Sequence, residues 1–431
     1  MSIKTKEKKK LSEIEMEIKD AFKKRSFLIY DTNLALDQAL GLAKAGNKVY
    51  YFLEYRTTYP KIEDYISGFG FDSIEKIDDY ATVLDDVDVI MFTDVGFGSL
   101  ADYLRMEGKN VFGASKRGER LEIDRRLLIE EFEKLGIGLP KYKILRGVSA
   151  LVGYIKANEG RGKRFWVKIN KFRGNMETCS CTNAEEIKVL IGQSGFGILG
   201  EKLEFIVTDE VNGVEIGIDT FFNGKEFLHP YHLGDEIKDA GTKGKWVKDS
   251  LWDELLLEKL QPWLSKAGYR GAFSMEAIYD GSDIHCLDAT CRLPYPPSCV
   301  FTKNIDNWGD VVEAVAKGEH IDVKPRYPYD VEINVNASEY LNKWRQIYVD
   351  DDVLEKVGFK RTILVNGNYW FVPSELTLAS AVGVGNTYEE SLSDAEKVAK
   401  GIYAFGVTWE MGLRTKFDEV NDKLRKFNIE W

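Results

Sequence analysis

The first 115 residues alternate strand-like and helix-like patterns, and that alternation limits what the chain can fold into more than any other feature. "SFLIYD" reads as a strand, "NLALDQALGLAKAGN" as an amphipathic helix with a Gly-Asn stop, and "KVYYFLE" as the next strand. Then "DVDVIMFTDV" supplies an apolar strand, "GSLADYLRMEGK" a helix and "NVFGAS" a strand again. This order predicts βαβ units and an open parallel sheet.

After residue 115 the pattern changes. "GERLEIDRRLLIEEFEKLGIGLPKY" predicts one charged amphipathic helix stopped by Gly and Pro. Short strands flanking the helix "TNAEEIKVLIGQSG" predict a small α+β module over about 142–210. Asn-Gly and Asp-Gly turns in "DTFFNGKEF" and "AIYDGSDIHCL" predict hairpins, with the helix "DSLWDELLLEKLQPWLSKAG" between them. Near the end, Thr387 with Glu390 three residues on is a capping box. The expected division is a charged helical tail at 1–24, an α/β domain at 25–115, a central domain at 116–325 and a C-terminal α+β domain at 326–431.

Composition narrows the function. A formal net charge of −11 opposes a nucleic-acid surface, which needs clustered Lys and Arg. The basic stretch "KTKEKKK" reads as a solvated tail. No apolar run approaches the ~18 residues of a membrane span. Five cysteines fit reduced thiols in a cytoplasm. Cys179 and Cys181 lie two apart, as alternate residues of a strand do, with no histidine nearby to complete a zinc site.

One acid stands out. Asp288 sits within the apolar strand "IHCLDAT", followed by Thr290, Arg292 and "LPYPPS". A buried carboxylate is costly unless a cation or hydrogen bonds compensate it. Glu276 lies on the preceding strand, across an Asp-Gly turn, and paired acids on adjacent strands can point the same way. Magnesium is usually held by one or two carboxylates plus substrate phosphates. Asp288 is therefore expected to have Mg²⁺ as its partner, and an ion pair with Arg292 is the ordinary alternative.

Three other pieces suit a nucleotide. Arg125 stands at a helix start, where register decides whether it or Arg126 faces a cleft. Lys168 ends an apolar strand and precedes the turn "KFRGN", in which Arg173, Gly174 and Asn175 suit covering phosphates. The extended stretch from Thr208 through Asp209 to Val211 offers backbone groups to an adenine edge. After the Asn212-Gly213 turn, Glu215 suits the ribose hydroxyls. A competing pattern, Gly96-x-Gly98-x-x-Ala101, matches a loose dinucleotide fingerprint, but it is not on the first βα turn. It reads as a tight turn or as backbone N–H groups able to hold a substrate phosphate. His232 in "PYHLGD" reads as a hydrogen-bonded structural histidine rather than an acid–base group.

In this order, and with "NVFGASKRGERLEIDRRLLIEEF" and "SAVGVGNTYEESLSDAEKVAKGI", the chain resembles the ATP-grasp ligases, phosphoribosylamine–glycine ligase above all. The similarity runs over about residues 25–420. It implies an ATP-grasp fold with a pre-ATP-grasp α/β domain, ATP with Mg²⁺ or Mn²⁺ as cofactors, and ligation of a small carboxylate to an amine through an acyl phosphate. An amino acid is one candidate for the carboxylate. By resemblance, Arg125, Lys168 and Lys238 contact the nucleotide, Thr208–Val211 bind adenine and Glu215 holds the ribose. Glu276, Asp288 and Thr290 ligate the metal, and Arg292 faces the acceptor and the acyl phosphate. The family's glycine-rich first loop is replaced by "YDTNLALDQ", and the stretch after Arg292 reads "LPYPPS". These departures imply a rebuilt acceptor site. A nucleotide binder without turnover, or a nicotinamide-dependent oxidoreductase using Gly96 and Gly98, are the competing readings.

Overall fold

The computed structural model describes residues 24–429 apart from 55–58, 60, 161, 172–177, 194, 238–239, 296–297, 338–342, 374–375 and 428. The expected N-terminal tail, Arg173 and Lys238 lie outside the described residues.

Strands β1 (Ser26–Asp31), β2 (Lys48–Leu53), β3 (Glu75–Ile77), β4 (Val89–Phe92) and β5 (Val111–Phe112) form one parallel sheet in the order β3-β2-β1-β4-β5. Helices α1 (Leu36–Lys44) and α2 (Gly98–Met106) follow β1 and β4. Both faces of the sheet are covered, which is why β4 and the middle of β1, 27–30, are apolar. Phe27 and Ile29 enter one core while Leu28 and Tyr30 enter another.

The helix expected over 118–142 is broken. Asp124, at φ −116° and ψ 87°, separates α3 (Arg120–Ile123) from α4 (Arg125–Leu135), and its carboxylate accepts from the Leu127 N–H. The side chain caps the second helix, so local capping outweighs the continuous periodic pattern. A small module follows: β6 (Tyr142–Arg146), α5 (Val148–Asn158), β7 (Phe165–Ile169), β8 (Thr178–Cys181), α6 (Ala184–Gln193) and β9 (Glu204–Asp209). Its antiparallel sheet has the order β6-β9-β7-β8 and a core of its own around Leu151, Phe165, Val167, Ile187 and Phe205. Since Phe165, Val167 and Ile169 face that core, the period of two turns Lys168 out of it.

Next come β10 (Val214–Phe222), β11 (Tyr231–Ile237), β12 (Gly241–Val247), α7 (Glu258–Lys266), β13 (Gly271–Tyr279), β14 (Ile284–Thr290), α8 (Ser298–Asn304), α9 (Trp308–Lys317) and β15 (Tyr329–Asn336). The chain ends with β16 (Arg345–Val349), β17 (Val357–Phe359), β18 (Thr362–Val365), β19 (Asn368–Phe371), β20 (Thr377–Gly385), α10 (Tyr388–Lys400), β21 (Ile402–Tyr403) and α11 (Leu413–Lys426). Eight strands join as β14-β13-β10-β11-β12-β15-β20-β17, so the sheet runs on across residue 325 through the β12–β15 pairing. The expected hairpins form at Asn223-Gly224 and Asp280-Gly281, and Thr387 caps α10 by accepting from the Glu390 N–H.

Registers fix one polar face on this large sheet. Gly217 pairs with Glu276, Glu276 with Asp288, Asp219 with Ser274 and Ser274 with Thr290. Alternation adds Glu215 on β10 and His232 and Glu236 on β11. The opposite face, with Ile216, Ile218, Met275 and Ala277, is fully buried in a hydrophobic core.

Candidate active site

Asp288 is the hub of the polar face. Between Glu276 and Ala277 the β13–β14 register shifts, because Glu276 pairs with Asp288 and Ala277 with Cys286. Leu287 is the extra residue of this bulge. Its carbonyl accepts from Lys168 Nζ at 3.1 Å, and the same ammonium forms an ion pair with Asp288 Oδ2. Bulges commonly re-aim groups beside active sites in this way. The other carboxylate oxygen, Oδ1, lies 3.7 Å from Arg125 Nε. Arg125 also donates from Nη1 to the Ile169 carbonyl at 3.2 Å.

These contacts bear on the ion-pair alternative for Asp288. Asp288 has protein cations as partners, Lys168 and Arg125. Arg292 does not pair with it. Its Nε sits 2.9 Å from Glu122 Oε1 and 3.4 Å from Asp94 Oδ1. At the helix start Arg125 is buried beside Asp288, whereas Arg126 is exposed and pairs with Glu130 and Glu204.

Glu276 is the electrostatic anomaly. It is half-buried, and no described residue donates a hydrogen bond to it or pairs with it. Burial and the charges of Asp288, Glu215 and Glu236 push its carboxyl up to about 8. Glu215 is exposed on β10, on the same face as Glu276 and Asp288. Burial raises its pKa, Lys168 pulls it back and Asp288 raises it again. Glu236 was missed from sequence. Its signal was the alternation that sets it two residues beyond Gly234, which pairs with Gly217.

The hinge between the small module and the large sheet is partly committed. Asp209 N–H donates to Lys141 O and Glu210 N–H to Arg164 O, and the Asp209 carboxylate pairs with Lys163 at 2.8 Å. Thr208 sits within the β6–β9–β7 ladder. Among the described residues only the Val211 end of this stretch keeps its N–H without a partner. Thr290 is half-buried beside Ser274, two residues along from Asp288 on the same face.

No cluster of three or more His, Cys, Asp or Glu side chains with metal-binding geometry occurs among the described residues. The donors on offer are two cross-strand carboxylates, one unpartnered. That set fits Mg²⁺, which completes its shell with water and phosphate oxygen, and does not fit a closed zinc site.

Two other groups are already committed within the protein. His232 is fully buried, with Nδ1 2.9 Å from Asp219 Oδ2 and Nε2 2.8 Å from Asp330 Oδ1. Burial alone would lower its pKa, but Asp330 and Asp219 override that and raise it to about 10. The imidazolium is thus held charged, as a structural tie. The N–H groups of Gly96 and Gly98 do not await a phosphate either, because both donate to Glu119 Oε2, at 2.7 and 2.9 Å. The same carboxylate occupies the place a dinucleotide pyrophosphate would need.

A scan of protein-family models and a search of curated proteins both find no match. Solved structures do match. A phosphoribosylamine–glycine ligase from Thermotoga maritima superposes with TM-score 0.67 at 18% identity, over 89% of this chain and 98% of that one. An N5-carboxyaminoimidazole synthetase from Staphylococcus aureus, complexed with ADP, gives 0.56 at 16% identity, over 88% and 98%. The biotin carboxylase domain of 2-oxoglutarate carboxylase from Hydrogenobacter thermophilus, with MgADP and bicarbonate, gives 0.62 at 12% identity, over 90% and 92%. With near-complete coverage in both directions at such low identity, the chain is a divergent protein of the ATP-grasp fold.

Proposed function

We propose that this chain is an ATP- and Mg²⁺-dependent carboxylate–amine ligase that releases ADP. The observation that carries the reading is the Glu276–Asp288 pair: two facing acids, one unpartnered and pushed up to about 8, opposed by Lys168 from a separately cored module and by Arg125 from α4. An excess of carboxylate at a cleft floor suits a divalent ion that arrives with nucleotide. Glu276 and Asp288 would hold Mg²⁺, with Thr290 beside them, and the metal would neutralise charge developing on the phosphates. Val211 N–H would meet the adenine edge, in the hinge formed with Thr208 and Asp209, and Glu215 the ribose. Lys168, Arg125, Arg173 and Lys238 would contact phosphates.

A carboxylate is a poor electrophile. In the proposed reaction its oxygen attacks the γ-phosphorus, ADP leaves, and an acyl phosphate results. The amine then attacks the carbonyl carbon, phosphate leaves and the nitrogen loses a proton. Little covalent work falls to side chains, so positioning and charge stabilisation dominate. Arg292 keeps Nε on Glu122 and Nη1 on the Leu293 carbonyl, which leaves Nη2 for the acyl phosphate. The test is a matrix of carboxylates and amines with ATP and Mg²⁺, read by ADP release. One acid–amine combination is expected to turn over, and Asp288→Asn is expected to lower its rate by roughly 10²- to 10³-fold with the fold retained. ATP binding with no ADP from any mixture would favour a binder without turnover, a reading that the pinning of Asp288 by Lys168 and Arg125 keeps open.

A further inference from the structure

In an open parallel sheet, ligands sit beyond the carboxyl ends of the strands where strand order reverses. Here the reversal lies between β1 and β4. Asp94, just after β4, reaches Arg292 Nε at 3.4 Å and accepts from the Thr32 hydroxyl, just after β1, at 3.1 Å. This crevice therefore adjoins the carboxylate floor through Arg292, four residues beyond Asp288.

Helix starts at such a crevice ordinarily offer N–H groups to an anion. Both are already filled by the chain's own carboxylates. Asp31 has no exposed surface and accepts from the N–H groups of Thr32 at 2.8 Å, Leu34 at 3.2 Å and Ala35 at 3.0 Å, ahead of α1. The hydroxyls of Thr93 at 2.7 Å and Tyr51 at 2.6 Å complete its shell. Glu119, 8% exposed, accepts from Gly96 and Gly98 at the start of α2. A phosphate reaching either set of donors would have to expel a buried carboxylate or sit against it, and like charges in a low-dielectric site repel strongly.

We infer that the amine substrate carries no phosphate, and that Asp31 and Glu119 determine this specificity by occupying both anion-binding positions of the β1–β4 crevice. The inference rests on the ligase reading and names the acceptor class that reading leaves open. Calorimetry on the full chain tests it, with ribose 5-phosphate as probe after saturation with ADP and Mg²⁺. The native protein is expected to show no saturable binding, and Glu119→Ala, which frees two N–H groups, is expected to bind the probe at least about tenfold more tightly. Saturable binding of ribose 5-phosphate to the ADP-loaded native protein would overturn the inference. So would a folded Glu119→Ala protein that gains nothing. The preceding ADP titration reports on the ligase reading separately: failure to bind ADP would sink that reading, and the phosphate result would still be read on the nucleotide-free chain.

Discussion

At the scale of single residues, charge that cannot be neutralised locally separates the working groups from the structural ones. His232 has both nitrogens satisfied, and its two acids are themselves tied down, Asp219 by Ser274 at 2.5 Å and Asp330 by Trp246 and Asn304 at 2.9 and 3.0 Å. Its pKa in the folded protein is raised from 6.5 to about 10. The native state thus holds a proton that the unfolded chain releases, so the stabilisation is complete below about 6.5 and is lost as pH rises through about 10. Denaturant midpoints are expected to fall across that window and to flatten in His232→Gln. His232→Ala should cost about 3–5 kcal/mol, because it leaves two buried acids facing each other. Glu276 is the reverse case, since its unfavourable charge finds no donor among the described residues. A group kept in such a place is more readily explained by a ligand than by the fold.

At the scale of elements, the small module at 142–209 has a core of its own around Phe165 and Phe205, while Ile206 on β9 enters the core of the large sheet. Phe165 is fully buried in that core, on the strand that carries Lys168. Phe165→Ala is expected to cost the module about 3–5 kcal/mol. Hydrogen exchange should then rise within β6–β9 while β10–β13 stay protected, and ATP affinity should fall without a change at the carboxylate floor. Uniform loss of protection across both would contradict a separately stabilised lid. Many elements were legible in the sequence. The apolar runs of β1 and β4, the Asn223-Gly224 and Asp280-Gly281 hairpins and the Thr387 cap each follow from local periodicity or turn chemistry. The break at Asp124 was not legible, because a capping acid inside a charged amphipathic run looks like one more solvated residue. Nor could local pattern show that Asp31 and Glu119 turn inward onto backbone N–H groups. Glu119 meets its donors more than twenty residues away in sequence.

At the scale of the molecule, the candidate site is assembled across long separations. Lys168 and Asp288 are 120 residues apart, and β12 meets β15 across the expected domain boundary at 325. The residues expected to meet a nucleotide could be named from the sequence through family resemblance, but their ion pairs could not, because those depend on which strand of the small module lies over which strand of the large sheet. One continuous core unites the first sheet, α9 and the C-terminal strands, and the small module at 142–209 has another of its own. No helix among the described residues is long and apolar enough to cross a membrane. The cleft between lid and floor is where the whole arrangement converges, and its purpose is tested by titrating a non-hydrolysable ATP analogue calorimetrically with and without Mg²⁺, in the native protein and in Glu276→Gln. Mg²⁺ should tighten binding to the native protein by about tenfold or more and change little in Glu276→Gln, which should still bind the analogue. Equal Mg²⁺ dependence in both proteins, or no binding by the native one, would contradict a metal–nucleotide site on these two carboxylates.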